Sequence, residues 1–181
     1  QAPRLPRRVT EIGYAIAYDT REQIPYEWQG VECRKMTLAT GDYSIVGLES
    51  LIAVERKSLD DYWGCMGKRR FRDCLRRLAA VTHSCVVVEA DSGIVLDDAY
   101  LHKTADRGGI YRVSRITGRI AMSITREHLA RFKVPIWFAG DRERGQRFTQ
   151  KFLATSYGMV LAERKRDERD RRRGQEYLAE L

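Results

Sequence analysis

An α/β domain, with a central mixed sheet flanked by helices, is the fold class this chain predicts, and three observations carry it. Three short runs, residues 13–18 (GYAIAY), 51–54 (LIAV) and 84–90 (SCVVVEA), are dominated by consecutive apolar residues, the pattern of strands buried on both faces. Between and after them come stretches of helical period: Phe71, Cys74, Leu75, Leu78 and Ala79 form an i, i+3, i+4, i+7, i+8 stripe, and Ile116, Ile120 and Ile124 recur every four residues. The length of 181 residues suits one domain with a real core.

Composition narrows the partners. Hydrophobic residues make up 43% and charged residues 32%, as in a soluble globular chain with a highly charged surface. Lys and Arg number 33 against 25 Asp and Glu, a net charge of +8. That surplus favours a polyanion, since each cation that meets a phosphate releases condensed counterions. Cys33, Cys65, Cys74 and Cys85 show neither a Cys-X-X-Cys pair nor zinc spacing, which reads as reduced, mostly core thiols of an intracellular protein. No run is long enough to span a membrane, and nothing resembles a secretory signal.

In chain order, residues 1–10 carry Pro3, Pro6 and three arginines and read as a mobile basic arm. The first strand ends at Asp19, residues 27–38 are mixed enough for an edge strand or irregular segment, and Thr40 with Gly41 signals a turn. Tyr43 and Ile45 alternate with Ser44 and Val46 in a short strand, and residues 47–50 connect it to the run ending in Glu55, Arg56 and Lys57. Ser58 is a good helix N-cap, with Asp61 where a capping box places an acid. Gly64 and Gly67 interrupt the first helix. Residues 91–109, with Gly93, Asp97, Asp98, Gly108 and Gly109, are a turn-rich connection that reads equally as a substrate-facing lid or a surface excursion, and His102 reads as a surface residue. An amphipathic helix is predicted over 114–130, a strand over 134–139, and a helix after Gly140 and Asp141 with Phe148, Phe152 and Leu153 as its stripe. Residues 163–181 interleave acids and bases, which suits a solvated helix with i, i+4 pairing more than a DNA-binding arm. The expected divisions are therefore 1–10, 11–162 and 163–181.

The chemistry concentrates between residues 41 and 61. Glu55 and Lys57, two apart at a strand's end, project to one side in extended geometry, and Asp42 on the neighbouring run can supply a second carboxylate. Two carboxylates and a lysine at a sheet edge suit metal-assisted phosphodiester hydrolysis, with Mg²⁺ or Mn²⁺ on the carboxylates and Lys57 orienting a water or steadying developing charge. Arg56 alternates to the opposite face, where burial requires a partner such as Glu22 or Asp60.

The longer wording, GDYS followed by VERKSLDD, resembles the signature of the XPF/Hef family of structure-specific DNA endonucleases. Gly41-Asp42, Glu55-Arg56-Lys57 and Asp61 stand at the signature positions. The segment Asp19-Thr20-Arg21-Glu22 is similar to the family's Asp-X-Arg-Glu element beside the metal site, and an arginine falls at about the place of Arg69. The resemblance implies a restriction-endonuclease-like fold over the nuclease domain and metal-dependent cleavage or nicking of DNA. It implies Asp42, Glu55 and Asp19 as ligands, with the Arg56 carbonyl a further donor, Lys57 orienting water, and Asp61, Arg21, Glu22 and Arg56 in support. Lys68, Arg69 and Arg72 are the expected DNA contacts, although a basic helix face also reads as merely solvated.

Two rival readings share these residues. One is a catalytically silent DNA-binding or scaffolding module; the other is a nuclease active only with a DNA-targeting partner. Residues after Leu161 do not read as the tandem helix-hairpin-helix module that many such nucleases carry, so a homodimer would use exposed apolar faces of the Ile116 or Phe148 helices.

Overall fold

The computed structural model describes residues 13–96, 103–105, 111–113 and 116–179; the expected arm at 1–10, His102, Asp97, Asp98, Gly108 and Gly109 lie outside them. Six strands form the main sheet: β1 (Ile16–Asp19), β2 (Cys33–Met36), β3 (Tyr43–Ile45), β4 (Ile52–Ser58), β5 (His83–Glu89) and β8 (Ile136–Phe138). Their order is β2-β1-β3-β4-β5-β8. The sheet is mixed: β3 runs antiparallel to β1 and β4, while β1–β2, β4–β5 and β5–β8 are parallel. The helices are α1 (Leu59–Cys65), α2 (Arg69–Ala79), α3 (Ser92–Leu96), α4 (Gly118–Phe132) and α5 (Arg142–Ala179). A separate antiparallel ladder joins β6 (Lys103–Ala105) to β7 (Tyr111–Val113).

Strand alternation divides the core in two. On one face Ala53, Val86 and Val88 pack against Tyr62, Phe71, Leu75, Leu78 and Ala121 of α1, α2 and α4. On the other Ile16, Tyr43, Val54 and Val87 pack with Tyr26, Trp28 and with Leu153 and Val160 of α5. Removing these apolar side chains from water, at about 25 cal/mol per Å², drives the assembly. A Cβ at Gly145 of α5 would lie 2.7 Å from the Tyr26 hydroxyl and 3.6 Å from Val87 Cγ1, so glycine lets this helix settle directly on the sheet. The Trp28 indole donates to the Gln146 carbonyl at 3.2 Å and fastens the same junction.

Several expectations change. Ala79 is exposed although the other four residues of its stripe are buried. Gly64 lies inside α1, which ends after Cys65. The helix expected over 114–130 is capped by Thr117, and its buried row is Gly118, Ala121, Thr125, His128 and Phe132, while Ile120 is 45% exposed. Small residues facing the core allow close approach, and Thr125 satisfies its hydroxyl on Tyr62 Oη at 2.7 Å; an isoleucine count finds the period of such a helix but not its phase. The 91–109 stretch contains α3 and β6. The expected boundary at 162/163 falls inside α5, which runs unbroken from Arg142 to Ala179.

The turn before β3 depends on Gly41. Its φ is +76°, and a Cβ there would meet the Val54 carbonyl oxygen at 2.9 Å. The adjacent Asp42 N–H donates to that same oxygen at 2.7 Å, so the two backbones cannot separate without losing the bond. Gly41→Ala is expected to cost about 1–3 kcal/mol through left-handed strain and this clash, read as a lowered urea midpoint with an unchanged m-value.

Candidate active site

Three adjacent strands supply the acids. Asp19 closes β1, Asp42 precedes β3, and Glu55 is the middle residue of β4; the Asp19 N–H donates to the Asp42 carbonyl at 2.9 Å, which carries the β1–β3 ladder one step past its last strand pair. Beyond Tyr43, paired with Val54, β3 has no further residue on β4. There the Asp42 carboxylate takes over, accepting the Arg56 N–H at 2.7 Å.

Period-two alternation then sorts the last residues of β4. Glu55 and Lys57 share the α2 side, joined by an ion pair of 2.5 Å. Arg56 turns to the α5 side, as expected, and its guanidinium bridges Glu22 at 3.2 Å and Glu89 at 2.8 Å. All three side chains are 15% exposed or less. Arg142 completes the cluster, bonding Glu89 at 3.2 Å and lying 5.0 Å from the centre of the Tyr26 ring. Two cations against two carboxylates leave this buried group neutral, the condition under which charges tolerate burial.

Asp42, Glu55, Lys57 and Asp61 line one cleft of about 630 Å³ together with Arg21, Gly41, Cys65, Arg70, Cys74 and Arg77. Burial, and then the nearby Glu55 charge, push the Asp42 carboxyl up to about 7. Burial opposes the Lys57 charge, but Glu55, with Asp42 behind it, more than offsets this and holds the ammonium above its ordinary value. Lys57 is therefore a hydrogen-bond donor and a positive charge at neutral pH. Burial, with Glu55 adding to it, pushes the Cys74 thiol up to about 12, and burial also raises Cys65. These thiols form a neutral wall rather than nucleophiles. Asp61 accepts from the Ser58 hydroxyl at 2.8 Å while its N–H donates back to that oxygen at 3.1 Å; it caps α1 and borders the cleft at once.

The family ERCC4 domain matches residues 18–152, well over half of the chain. The chain belongs to the ERCC4 domain family. This is a family of DNA nucleases. Among solved structures, this ERCC4 domain is similar to XPF from Aeropyrum pernix, with 18% identity and a TM-score of 0.59 over 83% of this chain and 69% of that one. XPF from Aeropyrum pernix in complex with DNA matches at 19% identity and a TM-score of 0.55, over 81% of this chain and 66% of that one. The domain thus spans about two thirds of those chains, and the likeness confirms the restriction-endonuclease-like fold. No curated protein matches.

Within this ERCC4 domain the expected site residues separate into groups. Asp42, Glu55, Lys57 and Asp61 meet in the cleft. Asp19, expected as a ligand, is not among the cleft's lining groups: its fully buried carboxylate accepts four bonds, from Arg21 N (2.8 Å), Nε (2.6 Å) and Nη2 (3.2 Å) and from Leu38 N (2.7 Å). An ionised carboxylate has about four lone-pair sites, so its capacity is used. Arg21 and the Leu38 amide hold Asp19 below the usual carboxylate range against the opposing effect of burial, which is the largest single influence. Its effect on the cleft passes through Arg21, which does line it. Glu22 and Arg56 support from the opposite face.

The three residues expected to contact DNA stand outside the cleft. Arg69 leans toward Asp73 at 3.7 Å, Arg72 donates to the Gly67 carbonyl at 3.1 Å, and Lys68 sits at the α2 N-cap. None of the three lines the cleft, whereas Arg70 and Arg77 do. The signal for them was present: Arg70 and Arg77 lie at i−4 and i+3 from Cys74 and share its side of the helix.

Two outcomes follow. Arg56→Met would leave Glu22 without its cation, and urea unfolding should show a loss of about 3–5 kcal/mol. For Asp42 the folded-state value lies above the unfolded 3.8, so the folded chain retains a proton that the unfolded chain has released, and stability falls as pH rises from about 4 to about 7. In EDTA, Asp42→Asn should flatten that fall and exceed the wild type in urea midpoint at pH 8, with the two converging near pH 4. A wild-type profile as flat as the variant's would remove the argument from crowded carboxylates.

Proposed function

We propose that this chain is a metal-dependent DNA endonuclease that cleaves or nicks phosphodiester bonds. The observation that carries the reading is one cleft with two crowded carboxylates and a charged lysine, walled by Arg70 and Arg77 of α2. The complex of Aeropyrum pernix XPF with DNA supports DNA as the substrate class.

The donor set fits a hard divalent cation. Among the described residues no three His, Cys, Asp or Glu side chains converge as a ready-made metal cluster. Asp42 and Glu55 remain, with the Arg56 carbonyl as a further donor, and Mg²⁺ is commonly held by one or two carboxylates plus substrate phosphate and water. A raised Asp42 pKa marks a place where added positive charge is favourable. Bound there, Mg²⁺ or Mn²⁺ would polarise the scissile phosphate and supply a water of lowered pKa.

The chain's own groups then have distinct tasks. Asp42 and Glu55 hold the cation. Lys57 orients the attacking water and steadies the charge that develops on the phosphate. Arg70, Arg77 and Arg21 grip flanking phosphates, with Asp19 fixing the orientation of Arg21. Asp61 holds the start of α1 beside Lys57. A second copy, or a DNA-targeting partner, would dock on exposed apolar positions such as Trp137, which stacks on Phe148 at 4.9 Å, and Ile120.

Supercoiled, linear and flap DNA should be cut by the wild type with Mg²⁺ or Mn²⁺ and left intact in EDTA. Asp42→Ala should abolish cutting with binding retained, and Lys57→Met should slow it by about 10²-fold or more. Binding without cleavage under every condition would replace this reading with the silent scaffold.

A further inference from the structure

Beyond residue 162 the chain continues as α5 to Ala179, and residues 163–177 are exposed throughout. In linear order their charges alternate; on a helix they segregate. Lys165, Arg169 and Arg172 fall at i, i+4 and i+7, flanked by Arg166 and Arg173. Ala162, Lys165, Arg166, Arg169 and Arg172 border one shallow groove, with Glu168 at its edge. Glu163, Asp167 and Asp170 fall at i, i+4 and i+7 on the opposite side, and Glu176 stands one turn beyond the basic row. Among the described residues none of the five cations makes an ion pair, and Arg169 Nε folds back onto the Lys165 carbonyl at 3.3 Å.

We infer that this basic face of α5 is a second nucleic-acid contact, an arm that lies along the phosphate backbone of duplex DNA without reading bases. It rests on the proposal that DNA is the substrate. The five cations span about 12 Å of helix axis, over which a duplex presents about seven charges. The acidic opposite face decides against two other uses. An interfacial membrane helix needs an apolar face there, and a helix sunk in a groove would press Glu163, Asp167 and Asp170 against phosphates. One-sided docking across the backbone remains. The arm begins about 35 Å along α5 from Arg142, which sits in the Arg56 cluster behind the site, so it holds DNA at a distance from the cleft and sets affinity rather than chemistry.

The test is duplex binding by fluorescence anisotropy in EDTA across a salt series. Arg169→Gln with Arg172→Gln should make the slope of log K against log salt shallower by about 1.8, at about 0.9 per lost phosphate contact. The pair Arg164→Gln with Arg171→Gln removes equal charge from another side of the helix and should leave the slope near the wild-type value. An unchanged slope for the first pair, or an equal change for both, would overturn the arm while wild-type cleavage stood. Absence of any duplex binding by the wild type would overturn the arm, while cleavage of supercoiled or flap DNA with Mg²⁺ or Mn²⁺ decides the nuclease reading separately.

Discussion

The Arg56 N–H bonded to the Asp42 carboxylate is the contact on which the site depends. It forms where β3 runs out of pairing and β4 continues, so that a side chain does the work of a missing strand residue. Gly41 permits it, because only a residue without a Cβ can bring Asp42 against the Val54 carbonyl. The same bond fixes the plane of β4 at Arg56, and with it the opposite directions in which Glu55, Arg56 and Lys57 leave the strand. One peptide thus holds an acid by its main chain and anchors two others, Glu22 and Glu89, by its side chain.

The two faces of β4 solve opposite electrostatic problems. On the α5 side, Arg56 and Arg142 meet Glu22 and Glu89 beneath the Tyr26 ring. Every charge there has an opposite neighbour, and the cluster ties α5 and the segment before Trp28 to the sheet. On the α2 side, the Lys57 ammonium pairs with Glu55, and Asp42, buried beside that acid, is left with a raised pKa. A satisfied cluster braces an unsatisfied one across the thickness of a single strand. That asymmetry suits a site in which incoming charge, rather than the resting protein, completes the neutralisation.

Much of this was legible from residues alone. Consecutive apolar runs located β1, β4 and β5, Ser58 announced the start of α1, and the two-residue spacing of Glu55 and Lys57 placed them on one side with Arg56 on the other. Less legible were features set by three-dimensional capacity. The resemblance of Asp19-Thr20-Arg21-Glu22 to the family's element implied Asp19 as a ligand, yet its oxygens are taken by Arg21 and Leu38. Arg56 required a buried acid, and sequence offered Glu22 or Asp60; that Glu89 is the second partner follows only from the β4–β5 register. Among the basic residues at α2 the sequence singled out Lys68, Arg69 and Arg72, whereas the rotation of the helix turns Arg70 and Arg77 to the cleft and Arg69 toward Asp73.

By itself the sequence determined the main strands and helices, the mixed α/β class and the alternation that sends Glu55 and Lys57 one way and Arg56 the other, because these follow from local period and backbone geometry. Tertiary structure decided the phase of α4, the continuity of α5 through residue 179, which carboxylates keep free oxygens and which arginines reach the cleft. Those depend on how closely elements approach and on which donor arrives first at a buried oxygen, quantities set by packing across strands that lie far apart in the chain.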